Sequence, residues 1–292
     1  MDTRPTAAAE RGGAALFSLI ALTMVAFAAN SVLNRMALAG GAIDPVDFGA
    51  LRLVSGAGML ALLMRLRGRR IQLRGPGRVA GVLSLLVYVY GFSLAYLALD
   101  AGAGALILFG LVQITMFAAA LAGGERPSAA RWAGAGLALI GLAWLLWPGS
   151  VPLSLPHAAL MAAAGVGWGI YSLAGRRAAD PLAATTANFL LAAPAGLVVA
   201  LLAGSEIGSA TPAGLGFAVL SGAVTSGLGY ALWYAVLPRI AATSAAIAQL
   251  TVPVIAMAGG ALLLGEGLSL RFALAAALVL GGVALSVLGG RR

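Results

Sequence analysis

Apolar runs of about twenty residues alternate along the chain with short breaks holding glycine, proline and arginine. At 1.5 Å per residue, a helix of that length crosses a hydrocarbon core of about 30 Å. Ten such runs are read, near residues 14–36, 45–64, 79–98, 102–123, 129–147, 156–175, 181–203, 212–237, 242–264 and 270–288. The pattern predicts an all-α polytopic membrane protein with ten transmembrane helices. The first run is too long for a signal-peptide core and carries Asn30, Asn34 and Arg35 at its far end, so it is read as a span.

Composition agrees with this and narrows the chemistry. The chain is 61% hydrophobic and 9% charged, with a mean hydropathy of +1.01, whereas soluble domains carry about 25% charged residues. There is no cysteine and one histidine, His157, which excludes disulfides, iron–sulfur clusters and thiolate metal sites. No cofactor or metal is expected. His157 follows Pro156 and is read as an exposed loop residue.

All 18 basic residues are arginines, and the net charge is +9. With the N-terminus placed inside, 15 of the 18 fall in loops on the inner side, leaving Arg35, Arg52 and Arg271 outside. Such segregation sets membrane orientation, with both termini inside, and leaves no basic face for nucleic acid.

Internal repetition divides the chain. Residues 27–37, FAANSVLNRMA, resemble 168–178, WGIYSLAGRRA, at an offset of 141, with Ser31 matched to Ser172 and Arg35 to Arg176. Asp44-Pro45 is echoed by Asp180-Pro181, and Gly124-Glu125 by Gly265-Glu266, each Gly-Glu pair being followed by a matched glycine, Gly141 or Gly282. Each half holds five spans, an odd number, so the second half is inverted. The expected organisation is a cytoplasmic segment 1–13, a first repeat 14–147, a periplasmic linker 148–155, an inverted repeat 156–288 and a cytoplasmic tail 289–292. Inverted repeats enclosing a central site are characteristic of transporters.

Tyr96-x-x-Leu99 with Gly124-Glu125, and Tyr234-x-x-Leu237 with Pro253 and Gly265-Glu266, resemble the drug/metabolite transporter superfamily. Within it the chain is similar to EamA-type ten-helix members, and most similar to YddG-type amino-acid exporters. The first half lacks the family's proline, Val112 or Phe117 standing in its place. The resemblance covers nearly the whole chain. It implies export of aromatic and other neutral amino acids across the bacterial inner membrane.

Candidate substrate contacts are polar and aromatic groups at mid-depth, since those at span ends belong to interfacial belts. These are Asn30, Tyr88, Gln113, Trp168, Tyr171, Tyr230 and Gln249. The competing reading for the amides is interhelical glue, worth about 0.6–2 kcal/mol each, and for the rings ordinary packing. Trp132, Trp144, Trp147 and Trp233 are assigned to the belts. Thr23, Asn30 and Asn34 share one helical face, as do Ser84, Tyr88 and Gly91, and Ser221, Thr225, Gly229 and Trp233. Such faces must turn inward, because hydrocarbon offers them no partner. Pro194 and Pro253 are read as helix kinks.

No acid or lysine falls at mid-membrane, and Arg35 and Arg52 are expected near the outer ends, within reach of Asp44 and Asp47. A facilitator or exchanger working by alternating access is expected, built around helices one, three, four, six, eight and nine. Its expected partners are a small-molecule substrate and the lipid bilayer; the oligomeric state stays open, a monomer being plausible. A multidrug or other small-metabolite exporter of the same fold and a passive channel stay open. An enzyme is not expected, as the chain holds no Gly-x-Ser-x-Gly and no cysteine nucleophile.

Overall fold

In the computed structural model, the described residues are 7–124, 126–147, 154–176, 178–205, 207–240 and 248–288. All their regular structure is helical. Glu125, Arg177, Glu206, residues 148–153 and 241–247 and both extreme termini lie outside the described residues. The helices are α1 (Ala7–Leu38), α2 (Pro45–Leu66), α3 (Arg78–Ala95), α4 (Ala101–Ala122), α5 (Ala129–Leu146), α6 (Leu155–Arg176), α7 (Pro181–Leu202), α8 (Pro212–Arg239), α9 (Thr251–Leu264) and α10 (Leu270–Leu288). The first eight are long and apolar enough to cross a membrane; α9 and α10 are shorter apolar helices.

The repeated sequence signals have local causes. In Asp44-Pro45 the aspartate caps α2, accepting from Val46 N–H at 2.7 Å, and the proline opens the helix where its missing N–H costs nothing. Asp180 caps α7 in the same way through Ala183 N–H at 3.2 Å, with Pro181 first in the helix. Gly124 and Gly265 end α4 and α9 at φ +81° and +66°, a left-handed turn that penalises any side chain.

The packing pairs off at an interval of five helices. Helices α2 with α7, α4 with α9 and α5 with α10 pack on each other. The contact of α3 with α6 has its counterpart in α8 with α1, and α4 with α6 in α9 with α1. Gly141 and Gly282 both lie in the α5–α10 seam, where a β-carbon on Gly141 would come 2.9 Å from Leu278 and one on Gly282 2.6 Å from the Gly134 carbonyl. Small residues let membrane helices approach this closely.

Leu62, Leu66, Leu201, Leu202, Leu262, Leu263 and Leu270 are exposed on the outside of the bundle. So much outward apolar surface is the mark of a lipid-facing wall. Trp132, Trp144 and Trp147 are exposed too, as belt residues are, but Trp233 is buried edge-on against Phe27 at 5.9 Å. Its place near a span end suggested a belt; α8 turns it inward instead. His157 is likewise not in a loop: it sits in the first turn of α6, its Nδ1 2.6 Å from Ser154 Oγ.

Pro194 lies inside α7, which continues through it. Pro253 lies in the first turn of α9, three residues past a one-residue break at Leu250. Its ring nitrogen stands where an amide would have bonded the Gln249 carbonyl.

At the end of the bundle that the arginine distribution places outside, Glu266 bridges three elements. Both its oxygens accept from Ala101 N–H at the start of α4, at 3.0 and 2.9 Å, and Oε1 accepts from Arg35 Nε at 3.3 Å. Arg35 also donates to the Tyr96 and Leu97 carbonyls and pairs with Asp100 at 3.5 Å. The expected partners of Arg35, Asp44 and Asp47, are engaged elsewhere, Asp44 as a cap and Asp47 with Ser205. Burial pushes the Glu266 carboxyl above its usual range, opposed by Ala101 N–H and Arg35. Glu266→Gln keeps the amide contact and loses the charge, so we expect a loss of about 1 kcal/mol in stability, read as a small fall in the melting temperature in detergent.

Candidate substrate cavity

The faces inferred from spacing meet at the centre. Asn30 Oδ1 on α1 accepts from Ser221 Oγ at 2.6 Å and Thr225 Oγ1 at 2.9 Å, both on α8. Asn34, one turn on, donates to Ser221 Oγ at 3.3 Å and accepts from Ser93 Oγ at 3.4 Å. Asn30 Nδ2 donates to Tyr88 Oη at 3.3 Å, joining α3 to the network. Buried polar groups in a membrane bundle must find one another in this way.

A cluster of rings lies beside the network. Trp168 of α6 stands 5.0 Å from Tyr88 and 4.9 Å from Tyr230, centroid to centroid, and Phe27 meets Trp168 and Tyr230 edge-on at 6.1 and 6.0 Å. These are ordinary favourable aromatic geometries. The cavity between them is lined by Phe27, Asn30, Ser31, Tyr88, Phe92, Leu108, Phe109, Trp168, Thr225 and Tyr230. Its volume is about 10 Å³, room for one water. The rings fill most of the space between the helices here.

Of the residues chosen from sequence, Asn30, Tyr88, Trp168 and Tyr230 come together on this wall. Tyr171 is buried behind it, stacked on Trp168 at 5.5 Å with its hydroxyl on Thr185 Oγ1 at 3.2 Å. Gln113 and Gln249 are half-buried and do not line the cavity. Gln113 is one turn along α4 from the lining residue Phe109, toward the inner end. The wall draws on helices one, three, four, six and eight; neither α9 nor α2 adds a lining residue, but α2 supports the wall from behind.

What α2 brings is Arg52. Expected near the outer end beside Asp44 and Asp47, it is instead fully buried. Its Nη2 donates to Tyr88 Oη at 2.7 Å and its Nε to Ser226 Oγ at 3.0 Å. Its guanidinium carbon lies 4.8 Å from the Tyr88 ring centre and 5.1 Å from that of Phe92. The side chain is long enough to carry the charge inward from the second turn of α2, where spacing alone suggested an interfacial position. The sequence signal was present, one arginine inside an otherwise apolar span.

The middle of α8 is what admits these contacts. Residues Leu220–Leu228 are π-helical between two α-helical stretches, a wider turn that favours functional positions. It turns Ser221, Thr225, Ser226 and Tyr230 all inward. Gly222 lies against the backbone of α2, where a β-carbon would collide with the Arg52 carbonyl and Ser55 Oγ.

The comparisons with known proteins agree with this architecture. Residues 155–288 match the EamA-like transporter family. Over 267 residues the chain is 49% identical to Uncharacterized protein PA1977 of Pseudomonas aeruginosa, covering 91% of this chain and 92% of that protein. The chain belongs to the EamA-like transporter family. A protein of known crystal structure is similar in fold to this EamA-like chain, with a TM-score of 0.65 at 26% identity, over 93% of this chain and 99% of that one. As an EamA-like transporter it is a multi-pass membrane protein of the class that moves small molecules.

Proposed function

We propose that this chain is an inner-membrane carrier exporting aromatic and other neutral amino acids by alternating access, as a facilitator or exchanger, with both termini in the cytoplasm. The observation that carries this reading is the cavity itself, a box of rings closed to about 10 Å³ with one polar wall of Asn30, Ser31, Thr225 and Tyr230. Rings hold an apolar side chain and the amide and hydroxyls orient its polar end. The lining contains no carboxylate, which favours amino acids over cationic drugs and favours facilitated flux over a proton relay through the cavity.

Asn30, Tyr88, Trp168 and Tyr230 are the proposed substrate contacts, with Tyr171 supporting Trp168. Gln113 and Gln249 are proposed to line the path once the inner end opens, Gln113 because it continues the face of Phe109. The paired helix contacts support division into two inverted repeats, 14–147 and 156–288, that rock about this point. A closed cavity suits a carrier better than a channel.

The test is flux in proteoliposomes of the purified protein, loaded with a labelled amino-acid panel, with and without a pH gradient. Saturable efflux of aromatic and neutral amino acids, stimulated by unlabelled substrate opposite, indifferent to the gradient and lost in Trp168→Ala, is expected. Movement of cationic dyes with no amino-acid flux would sink the reading in favour of a drug exporter.

A further inference from the structure

The feature that packing does not account for is the charge on Arg52. An arginine cannot shed its proton in a protein, and burying an ion is costly even after relaxation. Two hydrogen bonds to neutral hydroxyls and two aromatic faces offset part of that. No carboxylate does: the ion pairs among the described residues are Arg35 with Asp100 and Glu266, and Arg69 with Asp180. Two buried donors beside the cavity, Arg52 Nη1 and Tyr230 Oη, also have no partner within full hydrogen-bond distance, and stand only close enough to interact with each other. Tyr230 lines the cavity, and Arg52 lies behind Tyr88 and Phe92, which also line it.

The repeat makes the cation more telling. The offset that carries Asp44-Pro45 onto Asp180-Pro181 carries Arg52 onto Asn188. Asn188, itself uncharged, accepts from the Arg78 guanidinium of α3 at 2.8 Å, toward the end of the bundle rather than at the cavity. The fold therefore accepts an uncharged amide at the matched place, and only one half carries the charge into the centre.

Building on the carrier reading above, we propose that Arg52 is the anion anchor of the site and that the transported solutes are aromatic carboxylates, in which the carboxylate is required and an ammonium group is not. A carboxylate accepts from two donors at once, and the unpartnered Arg52 Nη1 and Tyr230 Oη are the pair that would meet it as the rings part. The solute's ring then fills the box around Trp168. An ammonium group would find no carboxylate on this wall, and the Asn30 carbonyl oxygen is already taken by Ser221 and Thr225. Solute entry neutralises the buried cation, so the anionic group itself favours occupation of the site.

The experiment titrates the full-length purified protein in detergent with phenylalanine, 3-phenylpropionate, phenylalaninamide and phenethylamine, reading tryptophan fluorescence, with Trp168→Phe to locate the signal. The two carboxylates are expected to bind about tenfold or more tighter than the amide and amine, the span of a charge-assisted hydrogen bond. Arg52→Gln is expected to erase that ratio and Arg52→Lys to keep part of it, as a cation without the fork. If the amide or amine binds as well as phenylalanine, or if folded Arg52→Gln keeps the full ratio, the anchor is overturned while the amino-acid reading stands. If 3-phenylpropionate binds and phenylalanine does not, the anchor stands and the amino-acid reading falls. Binding by none of the four overturns both. Should Arg52→Gln not fold, the wild-type ratios and Arg52→Lys still decide.

Discussion

Gly222→Ala is expected to abolish transport and to lower the melting temperature by several degrees, from the addition of one methyl group. The β-carbon it adds would collide with the Arg52 carbonyl and Ser55 Oγ and lie 2.9 Å from the Arg52 carbonyl carbon. Ser55 can rotate away, but a carbonyl in the middle of a helix cannot. So α8 must move off α2. Overpacking of this kind costs about 1–3 kcal/mol. The larger consequence is local, because Ser226 sits one turn from Gly222 and its 3.0 Å bond to Arg52 Nε depends on the same close approach. Losing it removes one of the two hydrogen bonds the buried cation has. Gly216→Ala on the same helix is the control, since nothing lies within 4 Å of the added carbon. Equal flux and melting temperature in the two variants would show that the α2–α8 contact is not critical.

Asn30→Ala, by contrast, is expected to separate activity from stability. The substitution removes the acceptor for Ser221 and Thr225 and the donor to Tyr88. The thermodynamic loss should be modest, because an interhelical bond in a membrane bundle averages only ~0.6 kcal/mol. Thr225 already shares its proton with the Ser221 carbonyl at 2.9 Å. Transport should fall much further, by about 10²-fold, the order of loss that follows from misplacing groups by 1 Å at a site. Asn30 joins α1, α3 and α8 at the cavity itself, one turn from the parallel bridge made by Asn34. Parallel measurement of melting and of saturable flux checks this; flux within twofold of wild type would remove Asn30 from the site.

Much of this protein was legible in the chain before any coordinates. The ten spans came from run length alone, because hydrocarbon tolerates only segments that satisfy their own backbone. Asp44-Pro45, Asp180-Pro181, Gly124 and Gly265 were readable as repeated signals, because caps and left-handed turns are local and constrain residue type directly. The inward faces of α1, α3 and α8 were readable from helical spacing, and Asn30, Tyr88, Trp168 and Tyr230 do meet at one cavity.

What spacing could not supply was which inward faces touch, and how deep a long side chain reaches. Arg52 was placed at the membrane edge because its α-carbon lies early in α2. Only the fold shows its guanidinium under Tyr88 and Phe92. Gln113 and Gln249 looked like the better polar contacts, yet they stand off the closed cavity, since an amide's distance from the axis depends on helix rotation. The π-helical turn at Leu220–Leu228 leaves no mark in composition or period, and it sets which of Ser221, Thr225 and Ser226 reach α1 and α2. The sequence by itself determined the helical class, the approximate number of helices and several of their caps, because each depends on contacts within a few residues. The tertiary structure alone decided where the charge and rings converge, because that depends on the rotation and separation of helices far apart in the chain.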